Sequence, residues 1–292
     1  MSTQIISNSD TLSSQRSSAK APAMANLAAK KKMKNVLRLT KSQHRQPTSA
    51  ARDCNVDTRQ EHDLDALPLP SQRKSQLKCT KLDDVCRTFS ACLKEDEVDT
   101  AQLIEACKAH LEFMKSFKGN SLVLVAKDLE SNLHKTTKPF KKVGDQGRTL
   151  SSLLHSERKA GIHKGNVLKE QSAAMGLLWI RRSLKFQSEL YASLIDKDGP
   201  HPRDAAERAY TTHLSKFHGW ALRKVFPATL SQMPNRHEFI AKIGGVSVDE
   251  LNEEVDAEVV SKLQSLVSAW DPLIATWEQD FARLNLEDVR RV

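Results

Sequence analysis

The 292-residue chain carries 45 Lys or Arg against 36 Asp or Glu, a formal net charge of +9, with 39% hydrophobic residues and ten prolines. Residues 1–80 hold 14 of the basic and 6 of the acidic side chains, so almost all of the surplus sits there and the rest is close to neutral. A nucleic-acid footprint needs its cations on a folded face and a membrane span needs about 20 apolar residues; the longest apolar runs, 122–126 and 173–180, are far shorter, and both classes are set aside.

No apolar stretch follows Met1, so a secretory signal is not expected. The five cysteines, Cys54, Cys79, Cys86, Cys92 and Cys107, form an odd set without a C-x-x-C pair or a histidine at finger-like spacing. Neither a disulfide framework nor a metal site follows from them. Free thiols in a reducing, cytoplasmic compartment are the expectation.

In chain order, residues 1–80 are rich in Ser, Thr, Lys and Arg and bury too little apolar surface to offset the entropy of ordering. They are expected to form a disordered basic leader. Within it, 22–39 has the composition of a short basic helix carrying Lys30, Lys31, Lys32, Lys34 and Arg38. A solvated linker and a membrane-surface or organelle-targeting segment are both open readings, since Asp10 is the only acid in the first fifty residues.

From Lys81 onward apolar residues recur at spacings of three and four, which predicts helices near 81–93, 99–117, 121–138, 147–159, 166–194, 202–226, 235–242, 247–252 and 256–285. Gly119-Asn120, Pro139, the glycines of 144–147, Gly199-Pro200 and Gly244-Gly245 mark the cuts. No alternating run is long enough for a sheet. The expectation is one all-α domain over 81–292, helix packed on helix.

Three stretches carry candidate chemistry. Asp128, Asn132 and Lys135 stand at i, i+4 and i+7 and so share one helical stripe, with Leu122 and Val125 on it in the preceding turns. A carboxylate that accepts, an amide that does both and an ammonium that donates make a receptor for a polyhydroxylated head; an exposed helix face with coincidental spacing explains the trio equally well. Trp179 lies within an apolar helix, with Phe186 and Leu190 continuing its side; it is either core or a flat platform for a sugar ring. His218 shares a helical stripe with Leu214, Ala221, Leu222 and Val225 and is drawn inward, while Trp220, near Arg223 and Lys224, suits the polar edge of a bilayer. Motifs for a nucleophile elbow, a phosphate loop or a zinc protease are missing from the sequence, so binding rather than catalysis is expected.

Taken in order, Asp128-x-x-x-Asn132-x-x-Lys135, Leu-Trp179-x-x-Arg-x-Leu-x-Phe186 and His218-Gly-Trp220 followed by Lys224-x-Phe226 resemble the glycolipid transfer protein family over about residues 100–286. The resemblance implies a two-layer helical sandwich of about eight helices, without enzyme activity, cofactor or metal. It holds one glycosphingolipid and meets a membrane surface only transiently, as a monomer that is cytoplasmic and peripheral at membranes. It implies that Asp128, Asn132 and Lys135 bond the sugar while Trp179 stacks under it, and that Asp128 and His218 reach the ceramide amide. The tails would be lined by Leu122, Val125, Phe186, Leu190, Leu214, Phe226 and Phe281, and Trp220 would help dock the membrane. A second branch of the family carries ceramide-1-phosphate, with basic residues in place of the tryptophan and asparagine; both are retained here. Arg181, Arg182 and Lys185 fit cations for a phosphate and an exposed basic helix face equally well. Ceramide-1-phosphate transfer, or a sensor or adaptor that binds lipid without moving it, are the alternatives.

Overall fold

A computed structural model describes residues 80–117 and 122–291, which pack as one unit. The leader and its basic segment lie outside the described residues. Nine α-helices run through those that are described: α1 Thr80–Ser90, α2 Thr100–Ser116, α3 Val123–Val143, α4 Leu150–Lys159, α5 Ala173–Ile195, α6 Pro202–His213, α7 Trp220–Leu230, α8 Arg236–Gly244 and α9 Glu253–Arg283. The architecture is the expected two-layer helical sandwich, with α5 at its centre against α3, α6 and α9. One small addition was not foreseen: β1 Leu93–Lys94 and β2 Glu97–Val98 form an antiparallel hairpin between α1 and α2.

Local chemistry fixes most helix starts. Asp99, Ser172, Asn235 and Asn252 each accept a bond from a backbone N–H in the first turn of α2, α5, α8 and α9. Thr149 and Ser152 close a reciprocal capping box on α4. The N-terminus of α5 is held twice over. The Glu157 carboxylate, 6% exposed, accepts from Ala173 N at 2.8 Å and Ala174 N at 2.9 Å, placing an anion at the positive end of the helix.

Three expected boundaries moved. The 166–194 segment becomes helical only at Ala173, because the Ser172 side chain terminates it, and 202–226 is two helices, broken at 214–219 ahead of Gly219. Pro139 does not end α3, which continues to Val143 and stops at Gly144, whose φ of +61° is open to glycine at little cost.

The centre is close-packed. At Gly176 on α5, an added Cβ would stand 2.5 Å from the carbonyl oxygen of Asn132, 2.6 Å from Thr136 Oγ1 and 3.1 Å from Lys135 Cβ. The missing side chain is what lets α5 approach α3 this closely.

Deeper in the core, His110 of α2 lies among Phe89, Tyr191 and Trp270, 5.4 Å from the Trp270 ring, and bonds Gln187 Oε1 through Nε2 at 2.8 Å. Burial pushes its pKa down from 6.5 to about 4, against the opposing bond to Gln187. A depressed histidine contributes stability that is fully present above its unfolded pKa and is lost as the pH falls toward the folded value. Between pH 6.5 and 4 the domain should therefore lose roughly 3 kcal/mol from this group. Thermal unfolding from pH 7.5 to 4.5 should show a falling midpoint, with most of the slope gone in His110→Leu; an unchanged slope in that variant contradicts the assignment.

Candidate lipid head-group site

The stripe read from the sequence exists on α3. Asn132 is 2% exposed, and its Nδ2 donates to Asp128 Oδ2 at 2.9 Å, one turn earlier. Lys135 follows on the same face and pairs through Nζ with Glu170 Oε1 at 2.6 Å, the lysine well covered and the glutamate mostly exposed. The cluster thus runs from a buried amide to an ion pair at the wet rim. Its donors and acceptors match those of a sugar.

On α5, Trp179 is one turn beyond Gly176 and on the same side of the helix, so the close contact between the two helices bears on how far the indole stands from Asn132. Trp179 is 6% exposed. His218 stacks on it at 5.5 Å between centroids and 22° between planes, Phe217 meets it edge-on at 6.4 Å, and the Arg182 guanidinium lies 5.1 Å from its centroid. His218 Nδ1 lies 3.3 Å from the Tyr210 hydroxyl. Burial pushes the Tyr210 phenol up, with Arg223 opposing, so it is protonated at neutral pH and able to donate.

The burial of His218 was foreseen, but for a different reason. It lies in the turn between α6 and α7, not within a helix, and Ala221, Leu222 and Val225 are only half-buried. Stacking on Trp179 and tilted ring contacts with Tyr210 and Phe226 hold it instead.

Leu122, Val125, Phe186, Leu190, Leu214, Phe226 and Phe281 are all buried in one apolar cluster. Phe226 stacks on Tyr210 at 4.7 Å and receives the edge of Phe186 at 5.9 Å, so this wall continues directly beneath His218. Phe281 stands apart from that aromatic group, 4.8 Å below the Arg181 guanidinium. Trp220, the first residue of α7, is 65% exposed, with Lys224 Nζ 4.4 Å from its ring centre and Arg223 exposed beside it.

One expectation is corrected. Arg181 and Arg182 are not an exposed basic face: they are 4% and 5% exposed. Arg181 pairs with Glu287 at 2.5 Å, and Arg182 donates to the Asp288 carbonyl at 2.6 Å. Their partners come from the segment after α9, about a hundred residues away, which helical periodicity does not reveal. Lys185 is half exposed and pairs with Glu278 at 2.8 Å. Glu170, Gly176, Tyr210 and Phe217 also escaped the sequence reading; only Gly176 left a trace there, as a lone glycine inside an apolar helix.

The glycolipid transfer protein (GLTP) family model matches residues 98–245, just over half of the chain, and takes in both helices of the polar cluster as well as His218. The chain belongs to the glycolipid transfer protein family.

Glycolipid transfer protein 1 of Arabidopsis thaliana is 29% identical over 166 residues, covering 54% of this chain and 79% of the relative. The glycolipid transfer protein of Aureobasidium melanogenum is 25% identical over 202 residues, covering 68% and 94%. Among solved structures, the GLTP-fold of FAPP2, described as selecting simple glycosphingolipids, superposes with a TM-score of 0.63 at 22% identity, covering 73% of this chain and 99% of that one. Mouse ceramide-1-phosphate transfer protein superposes with a TM-score of 0.61 at 18% identity, covering 71% and 99%. At these identities the superpositions establish the fold, which both branches share. The glycolipid transfer protein family consists of lipid transfer proteins, not enzymes. Among the described residues no helix is long and apolar enough to cross a membrane, and no cluster of three or more metal-ligating side chains occurs.

Proposed function

We propose that this chain carries a simple glycosylceramide between membranes, with residues 81–292 as the transfer unit and the leader outside it. The observation that supports the reading is the hydrogen-bonded Asp128–Asn132 pair on α3, which meets α5 through Gly176, one turn before Trp179 of the Trp179–His218 stack. In this reading Asp128, Asn132 and Lys135 bond the sugar hydroxyls and Trp179 supplies the flat apolar face. Asp128 and His218 take the ceramide amide, and the tails enter beside Phe186, Leu190, Leu214 and Phe226. A cation cluster for phosphate has less support, because the nearest arginines are already engaged by Glu287 and the Asp288 carbonyl.

Transfer lowers the barrier that tails meet in water, about 0.8 kcal/mol per CH₂. Since Trp179 is 6% exposed, a sugar lying flat on it must displace groups that now cover the indole. Entry is therefore gated, and the protein releases its cargo by the same rearrangement.

The test is a vesicle-to-vesicle assay with the full chain, offering glucosyl-, galactosyl- and lactosylceramide, ceramide-1-phosphate and phosphatidylcholine. Glycosylceramides should move and the others should not; faster movement of ceramide-1-phosphate contradicts the proposal. Trp220, Arg223 and Lys224 are assigned to the membrane. Removing an exposed indole from an interface costs on the order of 1–2 kcal/mol of partitioning, so Trp220→Ala should weaken vesicle binding roughly tenfold. Affinity for detergent-dispersed glycolipid should stay unchanged, and a loss of that affinity would place Trp220 in the pocket instead.

A further inference from the structure

The segment that follows α9 is tied down far more thoroughly than a surface strand needs to be. Leu286 is fully buried and Asp288 is 4% exposed. The Asp288 carboxylate accepts from Leu168 N at 2.9 Å and from Arg290 Nη2 at 2.6 Å, while its carbonyl accepts from Arg182 at 2.6 Å. Arg290 Nη2 also donates to the Leu168 carbonyl at 3.1 Å, and Arg291 Nε donates to the Lys216 carbonyl at 3.3 Å.

Every one of these anchors adjoins a residue of the candidate site. Leu168 is two residues before Glu170, the partner of Lys135. Lys216 is two residues before His218. Arg182 spans the platform itself, its guanidinium 3.4 Å from the Phe217 centroid and 5.1 Å from that of Trp179. Burial draws the pKa of Arg182 down to about 10, with Glu287 opposing, so it remains a cation that both rings and the Asp288 carbonyl can hold.

We infer that residues 286–291 form a strap, with Asp288 as its keystone and Arg182 as its contact to the rings, that positions the sugar platform and so sets selectivity for a glycosylated over a bare ceramide. The inference rests on the proposed glycolipid function. Asp288 and Arg182 are positioning residues: neither needs to touch lipid. Loosening the strap frees Trp179, the 214–219 turn and the loop bearing Glu170 together, so the sugar loses its whole preorganised surface, whereas bare ceramide loses only what His218 and Leu214 of the turn give it.

The full chain is titrated with phosphatidylcholine vesicles containing either glucosylceramide or ceramide, for wild type, Asp288→Ala, Arg182→Ala and Arg290→Gln. The ratio of the two affinities should fall about tenfold in the first two variants and several-fold in the third, with ceramide affinity falling less than glucosylceramide affinity in each. Arg290 is the milder site, its side chain 48% exposed, and it decides the matter if Asp288→Ala does not fold. A wild-type ratio in the folded variants, or an equal fall for both lipids, overturns the strap. A wild type without preference for glucosylceramide overturns the glycolipid reading first, and the strap with it.

Discussion

Asp128→Val should slow glucosylceramide transfer by about a hundred-fold or more while leaving the domain folded. The carboxylate accepts from Asn132 Nδ2 in the structure and, in the proposed complex, from a sugar hydroxyl and the ceramide amide. A bond to a charged acceptor contributes roughly 1.5–3 kcal/mol, and tenfold in affinity corresponds to about 1.4 kcal/mol, so losing two such bonds accounts for the drop. Valine also leaves the Asn132 amide, only 2% exposed, without that acceptor, at a stability cost of about 1–3 kcal/mol. Asp128→Asn keeps an acceptor of the same shape and should fall between the two. Initial transfer rates set beside thermal midpoints separate the effects; a valine variant within threefold of the wild-type rate would remove Asp128 from the head-group site.

Gly176→Ala is the second large effect, and it acts through geometry. The new methyl would meet the Asn132 carbonyl oxygen at 2.5 Å and Thr136 Oγ1 at 2.6 Å. Neither can retreat, since the first is helix backbone and the second belongs to a side chain 1% exposed that itself donates to the Asn132 carbonyl at 3.0 Å. The helices must separate. Overpacking of this kind costs about 1–3 kcal/mol, which for a domain of this size lowers the midpoint by roughly 3–10 °C. Because the displaced turn carries Asn132 and Lys135, glycosylceramide transfer should fall more than stability does. A variant with the wild-type midpoint and rate would show that the contact between α3 and α5 is looser than described.

What the sequence made legible depended on how local the cause was. The stripe Asp128, Asn132, Lys135 follows from 3.6-residue periodicity alone, and the helices expected from 99 and 235 begin where Asp99 and Asn235 cap them, whereas Asn252, expected inside a 247–252 helix, instead caps α9. Trp179, for which core and platform both stood open, is buried within its apolar helix. Contacts closed by tertiary packing were out of reach. Lys135 meets Glu170 across 35 residues of chain, and Arg182 meets the Asp288 carbonyl across 106. The same limit explains why an exposed face was one open reading of Arg181 and Arg182, since a charge on a helix looks solvated until its partner arrives from elsewhere. The 202–226 segment was read as one helix because its apolar spacing persists through 214–219, where ring stacking of His218 overrides helical continuity.

A crystal structure of the full chain bound to glucosylceramide tests the central claim most directly. The sugar ring should lie flat against Trp179, with its hydroxyls within about 3 Å of Asp128, Asn132 and Lys135 and the tails running toward Phe186 and Leu190. A head group seated elsewhere, with Trp179 still closed under His218 and Arg182, would contradict it.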